Sequence, residues 1–507
     1  MRPAGPSEKD DGGAIPPRIR FRRRSKMPAE SDDGRRPAGA VRSAVVENVP
    51  SNSCRAPAMS NRTDRRTFLA RGAAALAVGA SSERVAGRRF AEGEEPPPVV
   101  DPRATSGDDV FEPDWKERLT ITVGRRNADL EGMTDRALQA AVDYAARLGG
   151  GTVRILPGKY VLRNAVRLAS NVRIVGSGDD TILAKHASVA TKLAANSDWY
   201  DQEITLADAD GFAVGDGVCL RTKRESGGGD VVKRTLVARD GNRFKLDRPL
   251  RENFWLSGEA TAATLFALFD GDHVRNVAVE DLALDGNRAE NDLLDGNYAG
   301  CVFLQDCNRV ALRNLTARNY HGDGLSWQIC HDVTVENCRS TDHSGLGLHP
   351  GSGSQRTVMR RNVVERCDIG IFFCWGVKFG LAEKNTVRDV RKHGISIGHH
   401  DNHNLIVDNL VERSGVCGVL FRPERGEDFA PHRNRLERNV VIDSGGENAA
   451  AVDVQGRTRD VVIANNELRE TRGPAARTGI RLGPETQGIR LSQNRISGFR
   501  REVEGAG

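Results

Sequence analysis

Val-Ala-Leu-Arg-Asn314, Val-Thr-Val-Glu-Asn337, Val-Met-Arg-Arg-Asn362, Ala-Glu-Lys-Asn385 and Leu-Ile-Val-Asp-Asn409 are copies of one phrase, with asparagines 23, 25, 23 and 24 residues apart. Each copy is followed by a glycine-led apolar run: Gly324-Leu-Ser-Trp, Gly345-Leu-Gly-Leu, Gly370-Ile-Phe-Phe, Gly394-Ile-Ser-Ile and Gly418-Val-Leu-Phe. Self-similarity at this period indicates a solenoid, whose units bury their apolar faces against one another. The runs are short and alternating, so the units are built of strands. Function then belongs on one wall of the solenoid.

The repeated Asn reads as structural. Asn tolerates left-handed backbone at a sharp corner, and stacked amides can hydrogen-bond from coil to coil. Looser copies extend the pattern to Asn439, Asn465 and Asn494, and upstream coils begin near Val274. Earlier still, Leu138, Ala141, Val142, Ala145 and Leu148 form one apolar stripe, which predicts a helix over 134–148 capped by Thr134 or Asp135. Gly149-Gly150-Gly151 ends it, and short strands follow around a Pro157-Gly158 turn. Residues 186–266 break the coil period. Short alternating runs and an Asp240-Gly241 hairpin signal make them an antiparallel β-insertion.

The order helix, Gly-Gly-Thr-Val, Pro-Gly-Lys-Tyr160 and Asn-Val-Arg-Ile-Val-Gly-Ser-Gly178 resembles the opening of the pectate-lyase superfamily. The resemblance implies an all-β, right-handed parallel β-helix of roughly 22–30 residues per coil. Its helix covers the apolar open end, which otherwise exposes unpaired strand edges. The expected boundaries are a disordered extension over 1–58, a signal over 59–80 and a linker over 81–119. Then come a cap with first coils over 120–185, the insertion over 186–266, the main helix over 267–500 and a tail over 501–507.

Thr63-Asp64-Arg65-Arg66-Thr67-Phe68-Leu69 resembles the twin-arginine export motif. Met59 stands where its start belongs, and Val78-Gly79-Ala80 is a cleavage site of small residues. The resemblance implies export to the periplasm or beyond. The apolar run from Leu69 to Ala80 is too short for a permanent membrane span. The 74 basic and 69 acidic residues nearly cancel, and the excess sits in the N-terminal stretch, so nucleic acid is not an expected partner. The nine cysteines include no Cys-x-x-Cys pair, which argues against a zinc ribbon. Cys307 and Cys330 fall in equivalent places, as a ladder of buried thiols or a disulfide. Oligomeric state stays open between monomer and trimer.

Aligned on the strand glycine, Leu325, Leu346, Ile371, Ile395 and Val419 face inward, as do Trp327, Leu348, Phe373, Ile397 and Phe421. Outward positions then carry Ser326, Gln328, His349, Cys374, Arg422 and Asp453. Most of the eleven histidines fall between His321 and His403. This clustering selects His399, His400, Arg422, His349, Asp323 and His393 as catalytic candidates. Trp375, Gln328, Lys378, Lys392, Asp401 and Glu424 are candidates for substrate binding.

The expected ligand is a polysaccharide containing uronic acids. β-Elimination needs a base for the C5 proton and a cation to neutralise the adjacent carboxylate. His399 or His400 is read as the base and Arg422 as the bidentate cation. A second reading rests on Lys392-His393-Gly394-Ile395-Ser396-Ile397-Gly398, which resembles a segment of polygalacturonase-type glycoside hydrolases. There Asp323 and Asp342-His343 stand near the family's acidic positions, with Ser326 in place of an aspartate. A third reading is carbohydrate binding or adhesion without catalysis, with Trp375 as a sugar platform. No cofactor is assigned. The outward columns offer only Asp453 for calcium, and a transition metal would need His399, Asp401 and His403 to converge.

Overall fold

The computed structural model describes residues 113–224, 229–473 and 476–505. The export motif, Met59 and most of the 81–119 linker lie outside the described residues. The fold class is the expected one. Three parallel sheets run the length of a β-helix, and each coil contributes one strand to each. One coil runs through Asn308–Arg313, Thr316–Arg318 and Asp323–Gln328, and the next through His331–Glu336, Arg339–Thr341 and Leu348–Gly351. Pairing is in register, so a column of like residues forms at every inward position. Leu312, Val335, Met359, Ala382, Ile406, Leu436 and Ile463 form one such column and are all buried. Full burial of one such side chain contributes about 1.5–3 kcal/mol.

The asparagine repeat resolves into two columns. The corner between the first and second sheets is left-handed at Asn314, Asn337, Arg361, Lys384, Asp408, Arg438, Asn465 and Gln493. Asn362, Asn385, Asn409, Asn439, Asn466 and Asn494 stand one residue later. There the amide carbonyl of each Asn from Asn385 onward accepts from the backbone N–H and side-chain N–H of the Asn one coil earlier, and that of Asn362 accepts from the Cys338 N–H. Corner and ladder are therefore separate roles. Half of these corner residues are charged rather than amides, and Asn466, not Asn465, continues the ladder.

The cap helix spans Asp135–Arg147 and buries Leu138, Ala141, Val142 and Ala145. Thr134 is its N-cap without a side-chain cap bond, and Asp135 accepts from the Arg163 N–H at 2.9 Å instead. Six antiparallel strands between Ala190–Lys192 and Thr261–Ala263 form the insertion around Phe212, Leu220, Phe244 and Phe254. Arg163 ties it to the first coils through Asp216 at 2.7 Å. Cys307 and Cys330 are free thiols in contact, as the Cys307 N–H donates to the Cys330 sulfur at 3.3 Å. Among the described residues no helix is long and apolar enough to cross a membrane.

Replacing Asn409 by Ala strands two donors of Asn385 and costs about 3 kcal/mol or more. Asn314→Ala at the exposed corner costs roughly 1 kcal/mol. Chemical denaturation midpoints of the two variants check the order. His343 is fully buried, which pushes its imidazole down to about 4 from 6.5. Below pH 6.5 the unfolded chain takes up a proton that the folded chain refuses, so stability falls as pH drops from 6.5 toward 4. His343→Gln flattens that slope in a pH series of thermal midpoints.

Candidate functional site

The wall in question is the outer face of the third sheet. Its register differs from the glycine alignment. Leu325 pairs with Leu348, and Leu348 with Ile371, so Gly347 rather than Gly345 is the aligned glycine. Upstream, Val302 rather than Cys301 pairs with Leu325. The inward column is thus Val302, Leu325, Leu348, Ile371, Ile395 and Val419. Leu346 drops out because two extra residues lengthen that turn. The first outward column becomes Ser326, His349, Phe372, Ser396, Leu420 and Asp453. His349 moves beside Ser326. Gln328, Gly351 and Cys374 pair in the second outward column, which Gly398 and Arg422 continue beyond their strands.

Two clusters result. In the first, His349 Nδ1 lies 2.8 Å from Asp323 Oδ2, and Asp323 Oδ1 accepts from the Leu346 N–H. Ser326 donates to the Gly296 carbonyl at 2.6 Å, so the 294–298 loop lies over this part of the wall. Gly296 carries no Cβ because Asp323 fills that space. Asp323, His349 and Gln328 are all buried, and His349 Nε2 and Gln328 Oε1 have no partner among the described residues. Gln328 therefore does not present itself to a ligand as expected.

The second cluster lies just beyond the strands His393–Ile397 and Cys417–Phe421. His399 stacks on Trp375 at 4.5 Å, meets His400 edge-on at 4.7 Å and packs against Phe429 at 5.0 Å. Its Nδ1 lies 3.6 Å from Glu424. Burial, then the neighbouring His400, holds the His399 imidazole below its usual range despite the pull of Glu424. Trp375 is 56% exposed, so one face of the stack is open. Arg425 lies over Trp375 at 5.8 Å and over Phe429 at 5.0 Å.

Arg422 is not the free cation the sequence suggests. It leans across Gly398, where a Cβ would overlap its guanidinium. It donates to Ser396 Oγ and the Phe373 carbonyl at 2.9 Å each, and lies 3.3 Å from Asp401 and 3.5 Å from Glu424. Phe372 backs it at 4.4 Å. Asp401 is wholly buried and accepts from the backbone N–H groups of Gly376, Val377 and Gly398, so it cannot also contact substrate. Burial raises its carboxyl to about 6. Arg422 and Asp401 position the loop that carries Trp375 and His399.

The remaining candidates scatter. Lys392 turns to Asp368 at 2.9 Å. His393 is half-buried, which lowers its pKa, and its Nδ1 has no partner among the described residues. Lys378 is half-buried, within range of His403. His403 stacks on Phe379 at 5.4 Å, away from the His399–Trp375 stack. With Asp401 consumed by backbone donors, His399, Asp401 and His403 do not converge on a metal. Among the described residues the one group whose ligand atoms lie close enough together to hold an ion is Asp272, His273 and Asp306, at an exposed turn. Asp342 is held by Arg366 at 2.7 Å while Asp323 is held by His349, so the expected acidic pair is dispersed. Arg425 and Phe429 went unread in the sequence because they follow Pro423, outside the repeat.

A family model described as right handed beta helix region matches residues 300–468. Curated relatives include the mannuronan C5-epimerases AlgE2 and AlgE6 of Azotobacter vinelandii, 22% and 24% identical over 326 and 318 residues. Each alignment covers 62% of this chain but only 23% and 26% of the relative, so the chain spans about a quarter of their length. Among solved structures, the A-module of Azotobacter vinelandii AlgE6 is similar at TM-score 0.48 and 16% identity, covering 74% of this chain and 92% of that one. An exopolygalacturonase from Thermotoga maritima is similar at TM-score 0.39 and 10% identity, covering 71% and 87%. The coil geometry and the family match together make this chain a right-handed parallel β-helix protein.

Proposed function

We propose that this chain acts on a uronic-acid-containing polysaccharide by removing the C5 proton of a uronate, with β-elimination as the outcome. The observation that carries the reading is His399, a ring held neutral by burial and stacked on an exposed Trp375. A C5 proton needs a base that is unprotonated at working pH. A sugar ring needs an aromatic face against which to lie. Arg425 is the exposed cation next to that face and takes over the carboxylate-neutralising role from Arg422. His399 takes the proton, the electron pair forms the C4–C5 double bond, and the C4–O bond breaks. We assign protonation of the departing oxygen to His400, which stands edge-on to His399. Such a substrate lies outside the cytoplasm, in keeping with the export motif.

A second reading, C5-epimerisation, is favoured by the curated relatives, which are named mannuronan C5-epimerases. It shares the proton abstraction and ends in reprotonation from the other face, without chain cleavage. Hydrolysis is less well supported, since it requires a pair of accessible carboxylates.

Incubation with mannuronan and with polygalacturonate separates the outcomes. Elimination gives a new near-ultraviolet band, epimerisation changes the sugar signals in NMR without shortening the chain, and reducing ends without the band overturn the reading. His399→Ala lowers kcat by about 10²–10⁴-fold. Because the His399 pKa is lowered, the acid limb of kcat/KM falls below pH 6.5. Gly398→Ala displaces Arg422 and with it the turn that carries His399, and lowers activity, whereas Lys392→Ala leaves activity within about twofold.

A further inference from the structure

We infer that the antiparallel insertion carries a second, non-catalytic glycan-binding platform made of Trp199, Tyr200 and Trp255 and flanked by Arg251. The three rings are 51%, 60% and 45% exposed, on a module whose other large aromatics, Phe212, Phe244 and Phe254, are buried. Chance exposure of single apolar residues is ordinary, but three adjoining aromatics held in fixed positions are not. Strand alternation turns Phe254 inward and Trp255 outward, and Phe254 bridges Ser197 through backbone bonds of 3.1 and 2.8 Å.

One carboxylate organises the surface. Asp198 Oδ1 accepts from Trp255 Nε1 at 2.8 Å, and Asp198 Oδ2 accepts from the Tyr200 hydroxyl at 3.2 Å. Trp199 meets Tyr200 edge-on at 5.6 Å. Two asparagines fix the loops: Asn253 accepts from the Trp199 N–H at 2.9 Å and Asn196 from the Leu256 N–H at 2.8 Å. The rings are thus held before any ligand arrives, so little side-chain entropy is lost on binding.

The chemistry of the occupant follows from faces and charges. A pyranose presents C–H groups on its flat side and hydroxyls at its rim, which matches rings with polar edges. Asp198 is engaged by its two ring donors, and Asp201 accepts from the Asp198 N–H at 2.7 Å. Arg251 is exposed, its backbone N–H donates to the Trp199 carbonyl at 2.6 Å, and no carboxylate pairs with it among the described residues. Arg251 is therefore the guanidinium left to meet a ligand at the rim of the platform. Aromatic faces beside a free guanidinium suit a polysaccharide bearing carboxylates. Only this last step, the ligand's class, rests on the proposed function.

Affinity electrophoresis of the full chain through gels containing mannuronan, polygalacturonate or neutral dextran tests this. The acidic polymers are expected to retard the protein and dextran to leave it unretarded. Trp199→Ala, which removes only an exposed ring, and the Trp199→Ala/Trp255→Ala pair weaken retardation by about tenfold or more. Arg251→Ala weakens it too and makes it less sensitive to salt. Turnover of short oligouronides stays unchanged in all three variants. Retardation undiminished by loss of both tryptophans overturns the platform. So does equal retardation by dextran, or a wild-type dimer in sedimentation that the tryptophan variants dissociate. If no turnover is found on any polymer but tryptophan-dependent retardation persists, the catalytic reading fails and the platform stands.

Discussion

Every coil depends on in-register parallel stacking, and from Asn362 onward the buried asparagine ladder enforces it. A parallel strand pair tolerates slippage unless something pins it. Here each amide from Asn385 to Asn466 accepts two donors from the coil before and gives its own N–H groups to the coil behind and the coil ahead. A slip of one residue leaves these groups unpaired inside an apolar core, at about 1–3 kcal/mol each. The ladder therefore sets the register of the first and second sheets. The third sheet inherits it through the glycine column at Gly347, Gly370 and Gly394, which lies against Val364, Val387 and Val411 of the second sheet.

The same stacking builds the candidate site. Parallel coils repeat every 4.8 Å or so, which brings residues more than twenty positions apart into contact. Trp375 and His399 stack because they leave equivalent corners of successive coils. Arg422 reaches two coils back because Gly398 leaves the space open. Its charge then balances Asp401, which the backbone donors of two turns hold in the interior. A charge that looks exposed in one coil becomes a brace for the next.

The repeat, the inward apolar columns, the cap helix and the insertion were legible in the sequence, since each is written in local spacing. The site was legible only as a neighbourhood. His399, His400, Trp375 and Glu424 do gather, but Gln328 and Asp323 are covered by a loop that no periodicity announces. Two added residues before Leu348 moved His349 by one outward column, which glycine spacing alone could not reveal. Arg425 and Phe429 lay beyond a proline, in a stretch with no repeat to mark them.

The sequence by itself determined that this chain is a β-helix, because burial of periodic apolar residues and satisfaction of backbone groups depend on local pattern. Only the tertiary structure decided which polar groups are free to act. Whether a guanidinium or carboxylate is available depends on donors and acceptors supplied by other coils, and those partners are fixed by stacking. Arg422 and Asp401 were selected as ligand contacts by their residue type and became internal supports through their neighbours. Trp375 and Arg425 remained exposed, with the buried His399 stacked on Trp375, as the pieces from which a site can be made.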